Sequence, residues 1–262
     1  MSQKKGVDTG KRQRYDLPDV IRGITLLSMI AYHGAWDLVY MYGARWKWYH
    51  GTGAYIWQQS ICWTFIFLSG FCWPMGKRPL KRGLVVFGSG ILVTVVTMLA
   101  MYQNRVVFGV LTLIGSAMLL MVLLDKLFCR ISPKVGLVIS FACFVLTRNM
   151  NRGSLGFEGL ELVKLPVTWY RGWLMTYLGF TAPDFYSTDY FSLFPWLFLF
   201  ISGYFMYHIF CRKGWLELSF LKWNCPVFSF IGRHSLLIYL LHQPALYVLC
   251  SLLWYLRHAI LC

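Results

Sequence analysis

Twenty-two residues without a formal charge separate Arg82 from Arg105, 22 more separate Asp189 from Arg212, and 23 separate Arg233 from Arg257. A helix that crosses a bilayer needs roughly 20 predominantly apolar residues. Several such runs in one chain of 262 residues leave little room for a water-soluble fold. Only 13% of the residues are charged and 58% are hydrophobic, whereas a soluble domain carries about 25% charge. The pattern predicts an all-α integral membrane protein, a polytopic bundle of about seven transmembrane helices. Their expected ranges are 18–42, 53–75, 83–102, 106–124, 135–147, 190–211 and 234–256. The fifth is short and spans only if Lys134 and Arg148 snorkel to the interfaces. The first exceeds the h-region of a cleavable signal, about 7–15 residues, and is expected to remain as a span.

The net charge of +15 sits at the ends of the apolar runs. That placement fits topology signals and lipid headgroups rather than nucleic acid. With the N-terminus inside, 17 Lys and Arg fall on the cytoplasmic side and 8 on the other. The reading is therefore a cell-membrane, multi-pass protein with a cytoplasmic basic segment at 1–17 and a single transmembrane domain at 18–257. Residues 148–189 form one long extracytoplasmic loop, and their apolar middle, 160–180, reads as an interfacial or re-entrant helix. Eight cysteines without a C-x-x-C pair read as small apolar residues, not as a disulfide framework or a metal site. Walker, Rossmann, zinc and G-x-S-x-G motifs are absent from the sequence, which argues against an ATP-driven pump and the common hydrolases.

Ionisable residues inside spans are costly and tend to mark function. The first span carries Asp19, Arg22, His33 and Asp37. Eleven positions of about 100° bring Arg22 and His33 to one helix face, about 16 Å apart along the axis. Asp37 follows His33 at i+4, a spacing at which the two side chains meet, and a carboxylate beside an imidazole raises its basicity. Two readings fit this stripe. It lines a channel with an anionic donor at the Arg22 end and a catalytic base or nucleophile at His33, or it is a polar network that fixes packing. In the seventh span Ser235, Tyr239 and His242 share a face, and Pro244 frees a backbone carbonyl. They form the opposite wall of the channel or a helix contact. The run from Gly76 to Arg82 cradles phosphates or anchors the cytoplasmic face. Glu158, Glu161, Asp184 and Asp189 attract a cationic or hydroxylated acceptor, or are solvated loop charge.

The motif Arg22-Gly23-x9-His33-x3-Asp37-Leu38 resembles the first span of membrane acyltransferases related to heparan-α-glucosaminide N-acetyltransferase. Phe67-Leu68-Ser69-Gly70, Phe108-Gly109-Val110-Leu111, Asp189-Tyr190-Phe191-x3-Pro195-Trp196 and the stretch from Gly232 to Pro244 are similar too. The likeness covers about residues 14–250. It implies that acetyl-CoA, as co-substrate, donates an acetyl group across the membrane to a hydroxyl or amine of an extracytoplasmic, sugar-like or envelope acceptor, with no metal. Catalysis would rest on His33 and Asp37. Arg22, Arg233, His234, Ser235 and Tyr239 would bind the donor, and His242 and Asp189 the acceptor. Membrane lipids and a second copy of the chain are compatible partners, nucleic acid is not. The rivals are a proton-coupled transporter using the His33–Asp37 pair as a relay, and a non-enzymatic assembly protein. No internal inverted repeat supports the transporter.

Overall fold

The computed structural model describes residues 15–261. The first fourteen residues of the expected basic segment lie outside them. The chain is mostly helical, 71%. Among the described residues nine α-helices follow one another: α1 (Leu17–Tyr40), α2 (Thr52–Cys72), α3 (Pro79–Ala100), α4 (Val110–Phe128), α5 (Pro133–Leu146), α6 (Trp173–Leu178), α7 (Trp196–Arg212), α8 (Pro226–Arg233) and α9 (Ser235–Leu261). A helix lies on each of the seven segments expected to span. Three of them, α3, α4 and the Ser235–Leu253 part of α9, are long and apolar enough to cross a membrane by length and composition. The others fall short for different reasons. Polar side chains interrupt α1 and α2, and α5 and α7 have only 14 and 17 residues.

Small residues set how the helices meet. A Cβ on Gly70 of α2 would lie 1.9 Å from the Phe200 carbonyl oxygen of α7, and one on Gly203 would lie 2.0 Å from that of Phe67. The backbones therefore touch, as membrane helices do where small residues face each other. Gly90 beside Thr112 and Gly115 beside Phe87 pack α3 antiparallel to α4. Gly136 under the Phe205 ring, and Ser140 bonded to Ser202 at 2.9 Å, pack α5 antiparallel to α7. The core between them holds Ile66, Leu113, Phe144, Phe200 and Tyr204, all buried. The outward faces are apolar instead of charged: Leu84, Leu92, Val96 and Leu99 on α3 and Val138 on α5 are exposed. Soluble proteins rarely show apolar faces of that extent.

The segment 148–189 does not form the helix expected over 160–180. Ser154–Phe157 (β1) and Leu160–Lys164 (β2) make an antiparallel hairpin, followed by the short α6. The local reason is the pair Glu158-Gly159 between Phe157 and Leu160, a two-residue connection with Glu158 at φ 51°. Two-residue hairpin turns need such left-handed backbone. Gly172 (φ 79°) and Gly179 (φ 132°) then bound α6.

Arg148 pins this hairpin to the helices. Its Nε lies 3.3 Å from Glu158 Oε1, its Nη2 donates to Gln59 Oε1 at 2.8 Å, and its guanidinium sits 4.9 Å over the Trp196 ring. Removing one partner of a largely buried ion pair costs about 3 kcal/mol. Arg148→Met is expected to speed protease cleavage within the hairpin while leaving cleavage between α4 and α5 unchanged. Equal cleavage rates in variant and wild type would show that Arg148 does not hold the hairpin.

Candidate active site

Two glycines explain why α1 lies against the last two helices. A Cβ on Gly23 would fall 2.0 Å from the Phe228 carbonyl oxygen, and one on Gly232 would fall 1.9 Å from that of Asp19. These contacts set Gly23 against Gly232 and run α8 alongside the first turns of α1 in the same sense, at the 209-position offset that Tyr42 and Ser251 keep farther along. The helix is interrupted at His234 (φ −100°, ψ 18°), and α9 continues alongside α1 in the same direction. Gly34 meets Leu246 farther along, and the Tyr42 hydroxyl reaches Ser251 Oγ at 2.6 Å. One seam between α1 and α9 thus carries both polar stripes seen in the sequence.

Near the start of α1, Asp19 joins two arginines. Its Oδ1 accepts from Arg22 Nη1 at 3.0 Å, and its Oδ2 lies 3.8 Å from Arg233 Nε. Arg233 Nη2 also donates to Asp16 Oδ1 at 3.2 Å. The residues flanking the tight glycines are therefore the ones brought side by side. Of the other expected donor-binding residues, His234 is exposed with Nδ1 2.9 Å from the Phe230 carbonyl oxygen, and Ser235 is half-buried at the start of α9.

Farther along the seam the His33 and His242 rings stand 5.1 Å apart, centroid to centroid. His242 Nδ1 is 2.5 Å from the Tyr239 carbonyl oxygen. A carbonyl only accepts, so Nδ1 carries the proton and Nε2 presents its lone pair. That Nε2 is buried without a hydrogen-bond partner. The Tyr239 hydroxyl donates to Asp189 Oδ2 at 3.4 Å, and the Val110 amide donates to the same oxygen at 3.4 Å. Asp189 thereby sits at the N-terminus of α4, where a carboxylate is favoured. A Cβ on Gly109 would stand 3.1 Å from that oxygen, so a glycine here lets the carboxylate approach without being pushed aside. Phe191 N donating to Phe108 O at 2.9 Å completes the junction. The motifs Phe108–Leu111 and Asp189–Trp196 are thus two sides of one structure. Tyr239, expected with the donor-binding residues, stands at this deeper level with His242 and Asp189.

His33 and Asp37 do not form the pair that their spacing suggests. Asp37 is fully buried, and its Oδ1 accepts from Gln243 Nε2 at 2.7 Å. The i+4 spacing permits a contact but does not require one. Here an amide from α9 is closer to hand, and the His33 ring turns toward His242. Asp37 Oδ2 and Gln243 Oε1 are buried without partners. The site therefore holds three unmatched acceptors: Asp37 Oδ2, Gln243 Oε1 and His242 Nε2. Gln243 and Asp19 are the residues whose roles the sequence reading missed. Their signals were adjacency to His242 and the i−3 position before Arg22.

Two openings reach the seam. An apolar groove of about 310 Å³ runs along Ile30, Ile238, Leu246 and Leu249 to His242. A polar aromatic pocket of about 410 Å³ lies beyond Asp37, among Trp36, Tyr40, Asn104, Tyr186 and Thr188. No group of three potential metal ligands occurs among the described residues.

Apolar crossing helices around a seam of histidines and carboxylates define a helical membrane protein with the makings of an acyl-transfer centre. A family model described as heparan-alpha-glucosaminide N-acetyltransferase, catalytic, matches residues 14–244, and the chain belongs to that family. The family places it among membrane acetyltransferases. Neither a curated protein nor a solved structure matches it.

Proposed function

We propose that the chain is a cell-membrane acetyltransferase with seven spans and a cytoplasmic N-terminus. In this reading α1 to α5, α7 and α9 cross the bilayer within a single domain, and 148–189 is an extracytoplasmic segment. Acetyl-CoA is the cytoplasmic donor, and the acceptor is a sugar-like or envelope amine or hydroxyl on the far side. The observation that carries the proposal is the seam of α1 with α8 and α9: Arg22 and Arg233 at one end, and the His33–His242 pair with its open Nε2 at the other.

The roles follow from the placement. Arg22 and Arg233 hold the donor's phosphates, and Asp19 keeps the two guanidiniums side by side. The bound thioester supplies an acetyl group activated for attack. His33 withdraws the proton from the attacking amine or hydroxyl. The new C–N or C–O bond forms as the C–S bond breaks, and the proton passes to the leaving thiolate to give CoA. His242 and the Asp37–Gln243 pair offer three acceptors to the incoming group, which suits a donor-rich amine best. The pocket among Trp36, Tyr40 and Thr188 receives the rest of the acceptor on the extracytoplasmic side.

Acetyl-CoA kinetics of Arg22→Ala test the donor end. The KM for acetyl-CoA is expected to rise about 10-fold or more with kcat little changed, the mark of lost ground-state binding to a phosphate. An unchanged KM removes Arg22 from the donor site.

A further inference from the structure

The turn between α2 and α3 carries Lys77, Arg78, Lys81 and Arg82, and the proposed reaction uses none of them. Three of the four behave as membrane anchors. Lys77, Arg78 and Lys81 are exposed, as cations at a span end usually are. Arg82 differs. It is half-buried and folded back over the turn, with Nη1 3.4 Å from the Trp73 carbonyl oxygen. A Cβ on Gly76 would lie 1.3 Å from that same Nη1. The turn therefore has a glycine where the guanidinium rests, and Arg78 takes a left-handed φ of 54° to bring the chain round.

Charge makes the placement costly as it stands. Cys72 at the end of α2 interacts electrostatically with Arg22, Asp19 and Arg82, and Arg82 feels the repulsion of Arg22. Arg22 and Arg233 are compensated by Asp19 and Asp16. Arg82 has no carboxylate within ion-pair distance among the described residues, and its one hydrogen bond goes to a neutral carbonyl. Two neighbouring guanidiniums with a carboxylate on only one side are best satisfied by an anion between them, and a phosphate accepts from both forks.

We infer that a phosphate group binds between the Arg22 and Arg82 guanidiniums, which makes Arg82 a donor-binding residue. The identity of the ligand as CoA rests on the function proposed above. The site is a cradle of two arginines on α1 and α3, backed by the Trp73–Gly76 turn. Its position beside Asp19 joins it to Arg233, so three helices contribute one cation each.

The test measures CoA and pyrophosphate binding by calorimetry, with the purified full chain in nanodiscs of neutral phosphatidylcholine. Arg82→Gln is expected to weaken both ligands about 10- to 100-fold. Arg82→Lys, which keeps the charge but not the fork, falls between that variant and wild type and serves if the glutamine variant does not fold. Arg130→Gln, at an exposed position elsewhere, leaves affinity unchanged. CoA and pyrophosphate affinities equal to wild type in both Arg82 variants overturn the inference. So does loss of stabilisation by phosphatidylglycerol with CoA affinity unaltered, because that result assigns Arg82 to lipid headgroups. Pyrophosphate binding that depends on Arg82, in a protein that does not bind CoA, keeps the anion site and defeats the proposed function. Absence of binding by either probe defeats both.

Discussion

His33→Ala is expected to lower acetyl transfer by about 100- to 10,000-fold, the range lost when a positioned general base is removed. The protein should still reach the membrane and elute as wild type, because His33 is only partly buried and makes no hydrogen bond that holds two helices together. His33→Gln keeps much of the volume and a polar tip but cannot take a proton, so it should be as inactive. CoA binding should persist in both variants, since Arg22 lies eleven positions before His33 and Arg233 nine positions before His242. Activity within tenfold of wild type in either variant would remove His33 from the chemistry and leave His242 as the base to examine.

Gly232→Val is expected to be the most damaging single change outside the reacting groups. Its Cβ would stand 1.9 Å from the Asp19 carbonyl oxygen, an atom of helix backbone that cannot rotate aside. Helix α8 would have to move off α1, separating Arg233 from Asp19 and Asp16. Overpacking of this kind costs about 1–3 kcal/mol and more when backbone is the obstacle. The matched control is Gly88→Val on α3, where a Cβ meets nothing within 4 Å. Residual folded protein after a heat challenge should fall sharply for Gly232→Val and stay at the wild-type level for Gly88→Val. Equal survival would mean that the α1–α8 contact does not hold the site together.

The long elements were legible because hydropathy and charge act on whole segments. Each uncharged run between Arg82 and Arg257 carries a helix, and even the 14-residue α5 sits where its short apolar run lies. The polar stripe on α1 was legible for a related reason, since few ionisable residues occur inside the apolar runs and a helical period aligns Arg22 with His33. The hairpin at 154–164 was missed because apolar content alone does not separate a strand from an interfacial helix. Glu158-Gly159 was the local signal for the turn. The last span was placed from His234, close to the observed start of α9, but the short helix α8 before it was missed. Gly232 looks like one more small residue in an apolar stretch, and only its contact with Asp19 shows that α8 packs on α1. Pairing choices lie beyond sequence spacing altogether. Asp37 had His33 within reach on its own helix but bonds Gln243, which sits 206 positions away in the chain.

The most direct measurement of the central claim is acetyl release from radiolabelled acetyl-CoA by the purified protein, with glucosamine offered as a model amine and the His33→Ala variant run in parallel. The account predicts that wild type frees CoA and moves label to the amine while the variant does neither. Acetyl-CoA left intact by the wild-type protein, or consumed equally by the variant, would contradict it.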